Sequence, residues 1–314
     1  MKTKLLSLAS ILAVFNLNAI EIGPTGSGVE FGGFVDWAYQ SQDAPDGTDA
    51  DTFDATQVEL NLDFLNGPIS VSVDYDIYST DGDNDGVADR SGADLEEAIV
   101  TYDFGNGFSV TAGKMLSYLG FEAYDAPNMY QYSYAYDAGT GGVNGGQNIY
   151  DGYDDGVSLD YGSDMFSFGI FASAESNGGY EYALAFTGIE NLTVKAIMAD
   201  WDAYEVTTLW ASYQFDKLLL AGEVAKRDLE NTTTDIDGWL LMGNYSITDA
   251  VALTFRYSEQ EVGLESYEKF TLSPSYVFND NFSGLLEYST YDTENVAASK
   301  DPNDLFAVEL IYTF

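Results

Sequence analysis

Along most of this chain, apolar side chains recur at every second position in segments of about ten residues, the period of a pleated strand with one greasy face. The last segment shows it most clearly: Phe306, Val308, Leu310, Tyr312 and Phe314 share one face, and Leu305, Ala307, Glu309, Ile311 and Thr313 the other. Val58, Leu60, Leu62 and Phe64 alternate with Gln57, Glu59, Asn61 and Asp63. Val71, Val73, Tyr75 and Ile77 alternate with Ser72, Asp74, Asp76 and Tyr78. Further greasy sets are Phe166/Phe168/Ile170/Ala172, Leu209/Ala211/Tyr213/Phe215, Trp239/Leu241/Tyr245/Ile247 and Val251/Leu253/Phe255/Tyr257. A soluble sandwich would alternate too. Length separates the two, because many of these runs reach 10 to 13 residues, whereas soluble strands average about 5 or 6.

The connections alternate between tight and long. Tight ones are Asn66-Gly67, Gly105-Asn106-Gly107, Gly162-Ser163-Asp164, Gly188-Ile189-Glu190, Asp216-Lys217, Thr248-Asp249 and Asn279-Asp280. Longer or more polar ones cover 41–52, 80–93, 117–151, 174–179, 201–204, 227–235, 259–266 and 292–303. Short turns on one rim and long loops on the other are the wiring of an outer-membrane barrel. The expected fold is therefore all-β: a transmembrane, antiparallel, up-and-down β-barrel of about 16 strands, within a range of 12–18, with a long third extracellular loop. A barrel of that size is wide enough to hold water. Pro274 falls mid-strand on a greasy face and has no amide proton to donate, so a bulge or local distortion is expected there.

Residues 1–19 read as a signal peptide. Lys2 and Lys4 precede an apolar run from Leu5 to Leu17, and Leu17-Asn18-Ala19 puts a small residue before a cut ahead of Ile20. The barrel domain is then 20–314. Losing two lysines takes the formal charge from −41 to −43, against 52 acidic residues in the whole chain. Clustered bases are what a nucleic-acid partner requires, so none is expected. Hydrophobic residues at 46% and aromatics at 15% exclude a disordered acidic chain. The chain has no Cys and no His, so a disulfide framework, thiol catalysis and a Ser-His hydrolase are all excluded. No enzyme activity is expected and no cofactor is required.

Residues 97–136 resemble the β-barrel porin-2 (OmpL-like) family of Gram-negative outer-membrane proteins. The similarity runs through Ala112-Gly113-Lys114, Leu119-Gly120-Phe121-Glu122, Asp125-Ala126-Pro127 and Tyr132-Ser133-Tyr134. The aromatic ending at Phe314 also resembles the signal that barrels present to their assembly machinery. The resemblance implies an outer-membrane pore with lipid around it, and it brings no catalytic residues. In known porins the third loop folds inward and narrows the channel, which makes 117–151 the candidate constriction; the alternative is a loop lying over the rim or against a neighbouring subunit. A homotrimer is the expected assembly by analogy alone.

With the greasy face toward lipid, parity turns Asp36, Glu59, Asp63, Asp74, Asp76, Glu97, Asp103, Asp160, Glu181, Glu223, Glu287 and Glu309 inward, with Lys195, Arg256 and Lys269 as the inward bases. A water-filled tube so lined should concentrate cations. A general acidic adaptation to a salty habitat is the competing account. Glu122, Asp125 and Asp137 of the third loop are placed to face the three bases and set up a field across the pore; isolated lumenal ion pairs are the simpler alternative. Asp81, Asp83, Asp85 and Asp89, with Gly86 between, match the first half of a calcium loop, although position twelve is Gly92 and not Glu. A solvated acidic loop competes with a structural calcium site. Tyr124, Tyr130, Tyr132, Tyr134 and Tyr136 fit either a sugar-stacking ladder or ordinary loop packing. The expected function is passive diffusion of ions and small hydrophilic solutes with cation preference. A sugar-selective channel, or a plugged structural or adhesive barrel with calcium-binding loops, remain the alternatives.

Overall fold

The computed structural model describes residues 19–24, 26–43, 49–79, 92–137, 149–150, 152–176, 178–230, 235–297 and 304–314. Residues 1–18 of the expected signal and the aspartates at 81, 83, 85 and 89 lie outside them.

A two-residue strand, β1 (Ile20–Glu21), pairs with the foot of β2 (Val29–Asp43). The remaining strands are β3 (Asp49–Asn66), β4 (Ile69–Ser79), β5 (Gly92–Asp103), β6 (Phe108–Leu116), β7 (Tyr153–Gly162), β8 (Phe166–Ser173), β9 (Tyr180–Phe186) and β10 (Leu192–Trp201). They are followed by β11 (Tyr204–Phe215), β12 (Leu218–Leu229), β13 (Ile236–Ser246), β14 (Val251–Val262), β15 (Glu265–Asn279), β16 (Phe282–Glu294) and β17 (Leu305–Thr313). Each strand from β2 to β17 pairs antiparallel with its chain neighbours, and β17 pairs with β2 from Phe306↔Ser41 to Thr313↔Phe34. The ring is sealed where the Gly33 amide donates to the Phe314 carbonyl and the Phe314 amide donates to that of Gly33, both at 3.0 Å. The result is a closed sixteen-stranded barrel.

Burial is inverted relative to a soluble protein. Leu241, Leu184 and Phe215 are 61%, 55% and 65% exposed on the outer face, while Thr254, Thr271, Ser273 and Ser289 on the inner face are fully buried. Lipid takes the place of a core on the outside, as backbone satisfaction and greasy parity require of a spanning barrel.

One long-loop expectation needs correction. Residues 259–266 hold a tight hairpin, because β14 and β15 run on to Val262 and Glu265. These strand ends are polar, so greasy alternation alone underestimates their length. At Pro274 the expected distortion is a local one. Its side chain is exposed on the outer face, and cross-strand pairing with β16 lapses only at Ser273 and Pro274 with no change of register. The register shift of that pair comes later, between Val277 and Asn279. The other shifts gather in β2–β5, at Asp36/Trp37, Val58/Glu59, Asp74/Tyr75 and Asp76/Ser79. In β6, Gly113 has φ +134°, and a Cβ there would meet the Ala98 carbonyl oxygen at 1.9 Å, so the close approach of β5 requires glycine.

Candidate functional site

The third extracellular connection leaves β6 at Ser117, and its described residues cross the lumen. Near its start the Ser117 hydroxyl and the Tyr118 amide donate to Glu181 of β9 at 2.8 and 2.9 Å, and the Tyr118 hydroxyl donates to Asp160 of β7 at 2.7 Å. Lys195 of β10 donates to the Tyr118 carbonyl at 2.9 Å. The Phe121 amide donates to Glu223 of β12 at 3.0 Å. Beyond a single 3₁₀ turn at Ala126–Asn128 the segment reaches the opposite strands: Tyr132 donates to Gln40 of β2 and the Ser133 amide to Glu287 of β16, both at 3.0 Å. The loop is thus held from many sides of the ring, not laid over the rim.

Arg256 of β14 is the main fastening. It is fully buried, donates to Glu122 at 2.5 Å and to the Ser133 carbonyl at 2.6 Å, and reaches the Ser133 hydroxyl at 3.2 Å. Lys269 of β15 pairs with Asp137 at 2.6 Å and donates to the Ser133 hydroxyl at 2.7 Å. The expected field across the pore therefore takes another form. Glu122 and Asp137 do face the bases, but as direct ion pairs, because a charge carried into the low-dielectric interior must meet its partner closely. Among the described residues Asp125 pairs with no base. It lies against the acidic strands, and burial, followed by the charges of Glu59, Asp74 and Glu97, pushes its carboxyl well above the ordinary carboxylate range.

The loop tyrosines are mostly packed. Tyr136 is fully buried with its hydroxyl 3.4 Å from Glu223, and Tyr134 donates to the Tyr124 carbonyl at 2.8 Å. Burial, and then nearby carboxylates, raise the Tyr118, Tyr136 and Tyr150 hydroxyls above the usual tyrosine range, so they stay neutral. Tyr130 alone of the expected ladder is substantially exposed, at 39%.

Inward charged groups divide by place. Glu223, Arg256 and Glu287 are the sixth residues of their strands from the turn rim and are buried; Asp74, sixth in β4, and its cross-strand partner Glu97 stay half-exposed. Asp63 is half-exposed too and accepts from Ser72 at 2.8 Å, while Glu59 and Asp76 are buried. Asp103 sits at the turn rim, accepting from the Gly105 amide at 2.7 Å, away from the loop. Parity reasoning missed Glu96. The register shift at Asp74/Tyr75 leaves Glu96 as an extra residue on β5, beside Glu97. The Glu96-Glu97 doublet within an alternating strand was the available signal.

Residues 29–196 match the family described as phosphate-selective porin O and P. That segment is more than half of the chain. The chain belongs to this family. It is a porin of the bacterial outer membrane, a channel protein and not an enzyme. The porin-2-like block at 97–136 falls inside the matched segment, and the two agree on an outer-membrane porin. The porin is also 32% identical over 145 residues to outer membrane protein U of Vibrio parahaemolyticus, a match spanning 42% of each chain. Among solved structures, the trimer form of OmpT from Vibrio cholerae superposes with a TM-score of 0.64 at 17% identity, over 91% of this porin and 99% of that chain. An anion-selective porin from Comamonas acidovorans gives 0.67 at 13% identity, over 91% and 99%. Likeness at such identities concerns the fold.

Proposed function

We propose that this porin passes ions and small hydrophilic solutes by passive diffusion along the β3–β5 side of the lumen, with a preference for cations. The observation that carries the reading is the separation of charges. Lys195, Arg256 and Lys269 are buried beneath the third loop in contact with carboxylates or carbonyls, while Asp63, Asp74 and Glu97 remain half-exposed to the lumen. A narrow aqueous path beside low-dielectric walls feels the unmatched sign most. The test is a reversal potential in a planar bilayer under a potassium chloride gradient. A value favouring potassium is expected, and one favouring chloride rejects the reading.

Phosphate passage is the second reading, favoured by the family description and by one local feature, the convergence of Arg256 and Lys269 on the Ser133 hydroxyl. Against it, both charges already face Glu122 and Asp137. Millimolar phosphate that blocks chloride current would establish it over cation diffusion. The crossing loop also gives weight to a plugged barrel, for which reconstituted protein would show no conductance at all. The trimer form of OmpT supports proposing a homotrimer here, checked by cross-linking in detergent. Recognition of Phe314 by the barrel-assembly machinery belongs to the same proposal, with slowed membrane insertion expected on its deletion.

A further inference from the structure

Where the third loop meets the β3–β5 wall, acidic groups converge without a base among the described residues. Carboxylate oxygens of Glu59, Glu96 and Asp125 all lie within 4.8 Å of one another. Asp76 stands directly across from Glu59 in the β3–β4 ladder and within hydrogen-bond reach of Glu96. Like charges placed opposite each other in a sheet destabilise it unless something compensates. None of the four takes part in an ion pair among the described residues. Gln57 and Asn61 supply neutral donors, Gln57 to Asp76 at 3.1 Å and Asn61 to Glu59 at 2.5 Å. Even so, Asp76 Oδ1, on a side chain only 3% exposed, has no hydrogen-bond partner, and neither has Glu96 Oε2.

Buried acceptors are nearly always satisfied, so two unmatched carboxylate oxygens in one cluster point to a missing positive group. Asp125 adds to this. It occupies the N-cap of the 3₁₀ turn yet makes no side-chain cap bond, leaving its carboxylate to the wall.

We propose that Glu59, Glu96 and Asp125, with Asp76 beside them, bind one divalent cation, calcium foremost, which pins the third loop to the β3–β5 wall. The donor set is all oxygen, as hard cations prefer. Calcium sits about 2.3–2.6 Å from each ligand, so two ligands of one ion are at most about 4.6–5.2 Å apart, and the observed spacing fits inside that limit. The bulge that turns Glu96 inward builds the site, and lumenal water can complete the shell. This bound ion is independent of which ions the pore prefers to pass.

The test uses the full-length barrel folded in detergent, stripped with EDTA and titrated with terbium chloride. Tyr153 lies within electrostatic range of Asp125, Glu96 and Glu59, with the Tyr124 ring 6.2 Å from its own, so tyrosine-sensitised terbium emission reports the site. A saturable phase displaced by calcium is expected, weakened at least about tenfold in E96Q and in D125N. The phase should be unchanged in D63N and in D83N/D85N, the latter separating it from the aspartate-rich segment. Both test variants remove a repelling charge, and heat-modifiable mobility confirms that they fold. Single-channel noise should rise when EDTA is added to the wild type. No emission up to millimolar terbium, or a phase that survives in E96Q and D125N but vanishes in D83N/D85N, overturns the proposal.

Discussion

The arc of wall from β7 to β16 and the arc from β3 to β5 face one lumen at the same heights, yet they are built differently. Along the first, register is almost unbroken and the inward polar groups are buried under the third loop, each acid meeting a loop amide, a hydroxyl or a base. Along the second, bulges interrupt the ladder and carboxylates crowd together with neutral donors such as Gln57, Asn61 and Ser72 for company. The regular arc serves to hold the loop. The irregular one retains half-exposed charge, which is what a passing ion would sense. Stability and permeation therefore belong to different parts of the same ring.

Substitutions can break that division. The largest effect is expected for R256A, which strands Glu122 in the buried arc; breaking a buried pair costs about 3–5 kcal/mol. The unfolding midpoint in urea should fall, and the freed loop should give a larger, noisier conductance. Next, L241R on the lipid face should cost about 2–4 kcal/mol near the bilayer midplane, and V73R a comparable amount, because lipid does not distinguish the arcs. A large difference between them in folding titrations would mean that the division reaches the outer face. Ser133 touches Glu287, Arg256 and Lys269 through one hydroxyl, so S133A should destabilise by about 1–3 kcal/mol with ion selectivity retained. The smallest change in stability is expected for D74N/E97Q, where like charges are relieved. Its signature is instead a reversal potential moved toward zero, against no movement in E223Q. If E223Q shifts selectivity as much as D74N/E97Q does, permeation is not confined to the acidic arc.

Much of this architecture was legible in alternation and turn chemistry. The β11–β12 pair runs in unbroken register from Tyr204↔Leu229 to Phe215↔Leu218, and the greasy set Leu209, Tyr213 and Phe215 faces outward as the period requires, because lipid favours apolar side chains there. Parity also turned Asp160, Glu223 and Arg256 inward, where they are found. It failed at Glu96, since one extra residue in a strand reverses facing and leaves only a charge doublet as a trace. At Pro274 the expected local distortion takes the form of two missing cross-strand partners, at Ser273 and Pro274, with the register kept.

Sequence alone determined that the chain spans a membrane as a closed sheet with its acids inside, because that outcome depends on local periodicity, and periodicity is written into neighbouring residues. Only the tertiary structure decided which acids are neutralised. Glu122 meets Arg256 across 134 positions of chain, whereas Asp125 meets Glu59 and Glu96 and, among the described residues, no base. Charge pairing is set by closure of the ring and by the path of one loop through it, and neither leaves a periodic signal.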